Sequence, residues 1–145
     1  MESFSIGKYI KMFNNLLDSK ANHDFRRWDL TSSQFSIISY LMDHKDEKTM
    51  QRDLEQTFRL KNPTVTGILN LLEDKGLIQR IQNPTDRRSN FIVLTEKSLK
   101  LESEIQNAKD TADLFLLKDF SPEQIQQIET HFKLILKNVL EFVEK

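Results

Sequence analysis

The chain has no cysteine, and only three glycines and three prolines among its 145 residues. Without cysteine, disulfides, thiolate metal sites and thiol redox switching are excluded. A β-sandwich needs many tight turns, so the scarcity of glycine and proline favours a mainly α fold. No apolar run approaches the roughly 18–20 residues of a membrane span, and no signal-peptide pattern opens the chain. We therefore expect a cytoplasmic protein of one domain, 1–145.

The net charge of −1 does not by itself indicate a nucleic-acid partner, but its distribution is uneven. Residues 52–88 hold seven Lys/Arg against five Asp/Glu, whereas residues 95–145 hold seven against ten. The middle of the chain is therefore mildly basic, which permits local attraction to phosphate without a basic protein as a whole.

Apolar spacing predicts three helices in the first part of the chain. The first, over about 3–20, carries an apolar face made of Ile6, Tyr9, Ile10, Phe13, Leu16 and Leu17. Thr31 and Gln34 form a capping box that begins the second. A short third helix is predicted over 50–58, with Leu54 turned inward.

A fourth helix is predicted soon after the third, with Asn62 as its cap and Pro63 at its first position. Its buried face is Val65, Ile68, Leu69 and Leu72, at i, i+3, i+4 and i+7. Gly76 is expected just beyond the C-terminus, followed by the hydrophobic contact of Leu77. The opposite face carries short side chains: Pro63, Thr64, Thr66, Gly67 and Asn70.

Such a face suits a helix that enters the major groove, where short polar groups bond base edges. The exposed helix N-terminus also directs N–H groups at phosphate. The alternative is an ordinary surface helix, and this stretch alone does not decide between them.

Residues 77–82 and 90–94 predict two short strands joined by a loop over 83–89, which is a β-hairpin. Asp86, Arg87 and Arg88 lie near its tip. Arginine suits a narrow minor groove, because its guanidinium is weakly hydrated. A solvated charged loop explains the same residues, but a polar-faced helix followed by this hairpin is typical of a helix and a wing.

Two helices complete the chain: a long one over about 95–118, capped by Thr95, and a last one that opens with a capping box at Ser121. Apolar side chains form a wide stripe on the last helix: Ile125, Ile128, Phe132, Ile135, Leu136, Val139, Leu140, Phe142 and Val143. With Phe115, Leu116 and Leu117 this is more apolar surface than a small monomer exposes. It indicates a homodimer, although packing against the first helix within one chain would also cover it.

Residues 51–101 resemble the core of the multiple-antibiotic-resistance regulator (MarR) family. The matching segments are Asn62-Pro63-Thr64-Val65-Thr66, Leu72-Glu73-Asp74-Lys75-Gly76-Leu77-Ile78, Asp86-Arg87-Arg88 and Leu94-Thr95. The order of elements extends the resemblance over almost the whole chain. One departure is Ser98, where the family usually has glycine, and serine is tolerated in the first turn of a helix.

The resemblance implies a winged helix-turn-helix over 31–95, flanked by dimerisation helices over 1–30 and 96–145. It implies a transcriptional regulator, with a repressor as the family tendency, that binds a pseudo-palindromic DNA operator as a homodimer. Residues 61–76, beginning with Lys61, would enter the major groove. Arg88 would enter the minor groove, oriented by Asp86, and Arg87 would contact the backbone, although the two arginines could exchange roles.

Family members also bind small aromatic ligands where the dimerisation helices meet the DNA-binding part. By this resemblance Tyr9, Phe13, Trp28 and Phe35 are ligand candidates, although aromatic residues at helical spacing are more often core, and a regulator without ligand sensing is left open. The three histidines, His23, His44 and His131, have no second His at i+3 or i+4, so we expect no metal and no cofactor.

Two other classes of function are alternatives to a transcriptional regulator. An enzyme lacks support, because the chain has no phosphate-cradling glycine loop, metal-ligand cluster or nucleophile elbow. A winged-helix protein–protein adaptor is the other alternative. The adaptor would not bind duplex DNA at all, whereas a phosphate-contacting regulator loses affinity steeply as salt rises.

The apolar stripe leads to a first prediction. Ile135→Asp should give monomers and abolish binding to the operator, because a charge is costly in a buried interface. Sedimentation measures the association state, and a dimer that persists would place the interface elsewhere.

Overall fold

The computed structural model describes residues 3–145, so residues 1 and 2 of the predicted domain lie outside it. Two compact units divide the chain, one ending at Glu102 and one running from Ser103 to Lys145. The described α-helices are α1 (Ile6–Asp24), α2 (Ser32–Asp43), α3 (Gln51–Phe58), α4 (Asn62–Asp74), α5 (Glu96–Leu99), α6 (Glu102–Leu116) and α7 (Pro122–Val143), and the strands are β1 (Thr49–Met50), β2 (Ile78–Asn83) and β3 (Asp86–Leu94). A short 3-10 helix, Phe25–Trp28, follows α1. This confirms a mainly helical, winged helix-turn-helix fold.

The core of the first unit lies where α2, α3, α4 and the sheet pack together. Its buried apolar side chains include Leu30, Ile37, Ile38, Leu41, Leu54, Val65, Leu69, Leu72, Leu77, Ile78 and Ile92. Burying each such side chain contributes about 1.5–3 kcal/mol to folding. The capping boxes predicted at Thr31 and Ser121 are both present.

The sheet has three antiparallel strands in the order β1-β3-β2, one more than the hairpin that the sequence predicted. The extra strand, β1, has two residues, in which Thr49 pairs with Ile92 and Met50 with Phe91. Two residues are too few for a period-two pattern, so nothing in the sequence distinguishes them from the loop before α3.

The two longer strands extend further towards the tip than predicted and leave Pro84 and Thr85 as the turn. Asp86, Arg87 and Arg88 therefore lie on β3 rather than in a loop. The pairing closes because the register shifts at Gln82/Asn83, which brings Asn83 opposite Asp86. Such a shift changes which residues face each other, and the sequence pattern alone does not show it.

The prediction of one continuous helix over 95–118 is wrong in one respect, because the helix is interrupted between α5 and α6. The Ser98 hydroxyl donates to the carbonyl of Thr95, and the Leu101 N–H donates to the carbonyl of Ser98, three residues back. A serine that bonds the nearby backbone competes with the α-helical pattern, so the chain tightens here before α6 begins. Ser98 itself is fully buried.

The start of α4 also differs from the prediction by one residue. Lys61 is the N-cap, so Asn62 occupies the first helical position and Pro63 the second. The Lys61 carbonyl accepts from the N–H groups of Thr64 and Val65. Proline fits in the first turn in either register, because its missing N–H has no intrahelical partner there, and so the sequence did not fix the boundary.

The end of α4 confirms the predicted glycine cap. Gly76 has φ +71°, its N–H donates to the carbonyl of Glu73, and the N–H of Leu77 donates to that of Leu72. These two bonds form a Schellman motif, and Leu77 is buried beside it.

Large apolar side chains are exposed on α1 of the first unit and on α6 and α7 of the second. On α1 they are Ile6, Tyr9, Ile10, Met12, Phe13, Leu16 and Leu17, and on the second unit Leu114, Phe115, Leu116, Phe132, Leu134, Leu136, Val139, Phe142 and Val143. Neither α1 nor α7 has a buried residue. Within residues 3–145, no helix combines the length and apolar character needed to cross a bilayer.

The cap of α4 gives the second prediction. Gly76→Ala should lower the free energy of unfolding by about 1–2 kcal/mol, since an L side chain is strained at positive φ. The added Cβ would lie an ordinary 3.9 Å from the Lys97 side chain, so strain and not a clash is the cause.

Gly67→Ala is the matched control. A Cβ at this helical position meets nothing within 4 Å, so alanine should raise stability by about 0.5–1 kcal/mol. Urea unfolding at a fixed protein concentration measures both variants, and equal effects of the two would contradict the strain argument.

Candidate nucleic-acid interface

The predicted DNA-reading residues of α4 lie together on its outer face. Burial of Val65, Leu69 and Leu72, each fully inaccessible, fixes which edge of the helix faces the core. The opposite edge therefore faces outward. Lys61, Asn62, Pro63, Thr64, Gly67 and Asn70 are exposed, and Thr66 is half-buried.

Thr66 is held by contacts within the protein. Its hydroxyl accepts from Nε2 of Gln51, the first residue of α3, at 2.8 Å. It also donates to Oδ1 of Asn62 at 3.4 Å. The hydroxyl thus links α3 to the first turn of α4, and it positions the neighbouring Asn62 carboxamide.

Arg80 of β2 belongs to this surface, although no sequence motif marked it. Its Nη2 donates to Oδ1 of Asn70 at 2.6 Å, and its backbone N–H donates to Oε2 of Glu73 at 3.3 Å. An arginine in a strand of mixed polarity gives no sequence signal for this contact. Only the packing of β2 beside α4 brings the two side chains together.

The tip of the hairpin is stabilised by polar side chains and presents two arginines. The Asp86 carboxylate accepts from the backbone N–H of Arg88 at 3.0 Å, and Nε2 of Gln82 donates to the Arg87 carbonyl at 3.2 Å. Both arginine side chains are exposed. Among residues 3–145 Asp86 forms no ion pair with either guanidinium, and the contact that it makes with Arg88 is to the backbone N–H.

Lys75, the C-cap residue of α4, ties this helix to the segment between α1 and α2. Its Nζ donates to the backbone carbonyl of Asp29 and, at 2.9 Å, to Oε1 of the buried Gln34. Asp29 has φ 54°, in the left-handed region that turns the chain into α2. The sequence marked Gln34 only as part of a capping box, and nothing in the pattern indicated this second partner.

The four aromatic ligand candidates fall into two groups of ring contacts. In the first group, Trp28 and Phe35 both stack with Phe25. The ring centroids of Phe25 and Phe35 lie 3.8 Å apart, those of Phe25 and Trp28 5.9 Å apart, and those of Trp28 and Phe35 6.1 Å apart. Tyr9 and Phe13 lie 6.1 Å apart on α1 and are exposed. Phe35 is buried as part of the core, whereas Trp28 is half-buried under the guanidinium of Arg27, which lies 4.0 Å from its ring.

The surface as a whole combines hydrogen-bond donors with exposed positive charge. The outer edge of α4 offers short side chains, the first turn offers the backbone N–H of Asn62, and the wing offers two guanidinium groups. This combination matches the elements that contact base edges and phosphate oxygens in nucleic acids.

Comparisons with known proteins agree with this arrangement. Residues 28–89 match the model of the MarR family. The HTH-type transcriptional regulator YwoH of Bacillus subtilis (strain 168) is 30% identical over 84% of this chain and 87% of its own length.

Two solved structures show the same likeness in three dimensions. The crystal structure of the S. aureus MepR–DNA complex has a TM-score of 0.88 at 26% identity, over 94% of this chain and 99% of that one. The transcription regulator MarR from Oenococcus oeni PSU-1 has a TM-score of 0.77 at 29% identity, over 92% of this chain and 99% of that one. The chain therefore belongs to the MarR family of transcriptional regulators, and it is a regulator rather than an enzyme.

Proposed function

We propose that the chain is a repressor that binds a pseudo-palindromic DNA operator as a homodimer. The observation that carries the proposal is the outer edge of α4, with its short polar side chains beside a wing that bears Arg87 and Arg88. The S. aureus MepR relative has been crystallised with DNA, and its likeness to this chain supports the same partner here.

In this proposal α4 enters the major groove and its side chains bond base edges. Asn62, Thr64 and Asn70 supply the polar contacts, and Pro63 and Gly67 keep the surface low enough for close approach. Lys61 and the backbone N–H of Asn62, at the start of α4, bond phosphate oxygens. Thr66 acts as a positioning residue for Asn62, because both hydrogen-bond partners of its hydroxyl, Gln51 and Asn62, belong to the protein.

The wing contacts the groove next to the one that α4 occupies. Arg88 inserts into the minor groove, where the potential is strongly negative, and Arg87 contacts the backbone. Asp86 contributes to the wing by accepting a hydrogen bond from the backbone N–H of Arg88, which holds the backbone at this position.

Arg88→Ala should weaken DNA binding about tenfold or more, since a charge-assisted hydrogen bond contributes about 1.5–3 kcal/mol. The dimer should remain intact. Fluorescence anisotropy with a duplex from the region upstream of the gene measures the affinity, and sedimentation measures the association state.

Arg26→Ala is the control for Arg88→Ala, because it removes the same charge from an exposed site outside α4 and the wing. It should leave the affinity within about twofold. Equal weakening by both variants would mean that only the total charge matters, and no weakening by either would remove the wing from the proposal.

Dimerisation through the helices outside the winged core is the second part of the proposal. The exposed Phe132 and Leu136 of α7, 59% and 58% accessible, form an apolar surface that a second copy would cover.

Asn138→Asp is the matched control for Ile135→Asp, which is predicted to give monomers. It adds the same charge to the same helix at an exposed polar position, and it should leave the dimer intact.

Relief of repression by a small aromatic ligand is the third part, with Tyr9, Phe13, Trp28 and Phe35 as its candidate residues. Trp28 offers the clearest test, because it is the sole tryptophan of the chain and is half-buried. A small aromatic acid that releases the protein from DNA should change Trp28 fluorescence with the same midpoint. Release without any fluorescence change would place the ligand away from Trp28.

A further inference from the structure

Arg80 bridges the wing and the outer edge of α4. The residue lies on β2, paired with Ile92 of β3, and its side chain is half-buried. Its Nη2 donates to Oδ1 of Asn70 at 2.6 Å. A charged donor at this distance makes a strong hydrogen bond, so the contact fixes the Asn70 carboxamide.

The chemistry of the two groups decides which way the carboxamide faces. A guanidinium carries five N–H donors and no acceptor, so only the oxygen of Asn70 can bond it. Among residues 3–145 no acceptor bonds Nδ2 of Asn70, and the residue is exposed. Asn70 therefore offers its two amide N–H donors to whatever approaches α4.

An unconstrained asparagine in the major groove pairs with adenine, because its oxygen accepts from N6 while its amide donates to N7. The bond from Arg80 occupies one of the two lone pairs of that oxygen and turns it towards the guanidinium, which weakens the adenine pairing at its acceptor. Guanine presents two acceptors, O6 and N7, at the same edge. We propose that Arg80 is a positioning residue that converts Asn70 into a donor, so that Asn70 selects guanine over adenine.

The surroundings of the guanidinium support this assignment. Its Nε is buried and has no hydrogen-bond partner among the described residues. An unpaired buried donor is unfavourable, and in native proteins it calls for an explanation. The buried position of Arg80 therefore leaves one of its own donors without a hydrogen bond. The side-chain hydrogen bond that this position does provide is the one to Asn70.

The inference rests on the proposed function, since it describes how the DNA-binding surface reads one base pair. A competing role for Arg80 is a contact with a DNA phosphate. A phosphate contact would weaken binding to every sequence equally and would reduce the salt dependence, whereas positioning of Asn70 would change the preference at one base pair.

The experiment is selection from a library of random-sequence duplex DNA, followed by sequencing, with the wild-type protein, Arg80→Met, Arg80→Lys and Asn70→Ala. Wild type should prefer guanine about tenfold at one position of each half-site. Arg80→Met should reduce this to about twofold or less or shift it to adenine, with the other positions unchanged. Arg80→Lys retains a charged donor and should keep the preference for guanine.

Asn70→Ala removes the other partner of this contact, and its exposed position means that folding is not at issue. It should lose the preference at the same base pair, and adding Arg80→Met to it should cause no further loss there. A preference that survives in Arg80→Met or in Asn70→Ala overturns the inference. So does a uniform loss of affinity in Arg80→Met, with a salt slope smaller by about one.

Failure of the proposed function gives a different result. In that case the wild-type protein enriches no sequence, and its binding to duplex DNA does not weaken as salt is raised. A wild-type protein that enriches a symmetric sequence, with Asn70 and Arg80 variants that enrich the same one, leaves the proposed function standing and removes only the role of Arg80.

Discussion

The orientation of α4 about its own axis determines which of its side chains are buried and which are exposed. Val65, Leu69 and Leu72 fill the core, and each is fully buried. Rotating the helix would expose these side chains, at about 1.5–3 kcal/mol each. Because the buried edge of α4 is packed in the core, its outer edge must face away from the core. At the C-terminal end of the helix, the hydrogen bonds of Lys75 and Gly76 fix its position in the unit.

On the outer edge of α4, some polar side chains are held in place by hydrogen bonds from side chains of other elements. Gln51 and Arg80 donate from neighbouring elements to Thr66 and Asn70 on α4. Organising the side chains before DNA arrives reduces the entropy lost on binding. In the proposed function, this surface gains specificity from residues that need not touch DNA themselves.

Much of this architecture could be predicted from the sequence, because helix caps and apolar periodicity are local. The capping boxes at Thr31 and Ser121, the buried edge of α4 and the glycine cap at Gly76 all depend on residues within one or two turns of each other. The structure agrees with the sequence at these points, except that Ile68, predicted on the buried edge of α4, is only half-buried.

The features that the sequence did not predict depend on contacts between distant segments. Strand β1 exists because Thr49 and Met50 meet β3 from more than 40 residues away. The Arg80–Asn70 and Lys75–Gln34 bonds likewise join separate elements, so no spacing rule finds them. The break after α5 is local, but it depends on where one hydroxyl, that of Ser98, places its hydrogen bond.

The proposed homodimer and the proposed entry of α4 into the major groove together require one geometry, because two copies of α4 must fit successive turns of one face of DNA. Their centres should lie about 34 Å apart, roughly one helical turn. Footprinting on the region upstream of the gene tests this directly. We expect two protected half-sites with centres about 10 base pairs apart and related by a two-fold axis. Protection of a single isolated half-site, or of none, would contradict the account.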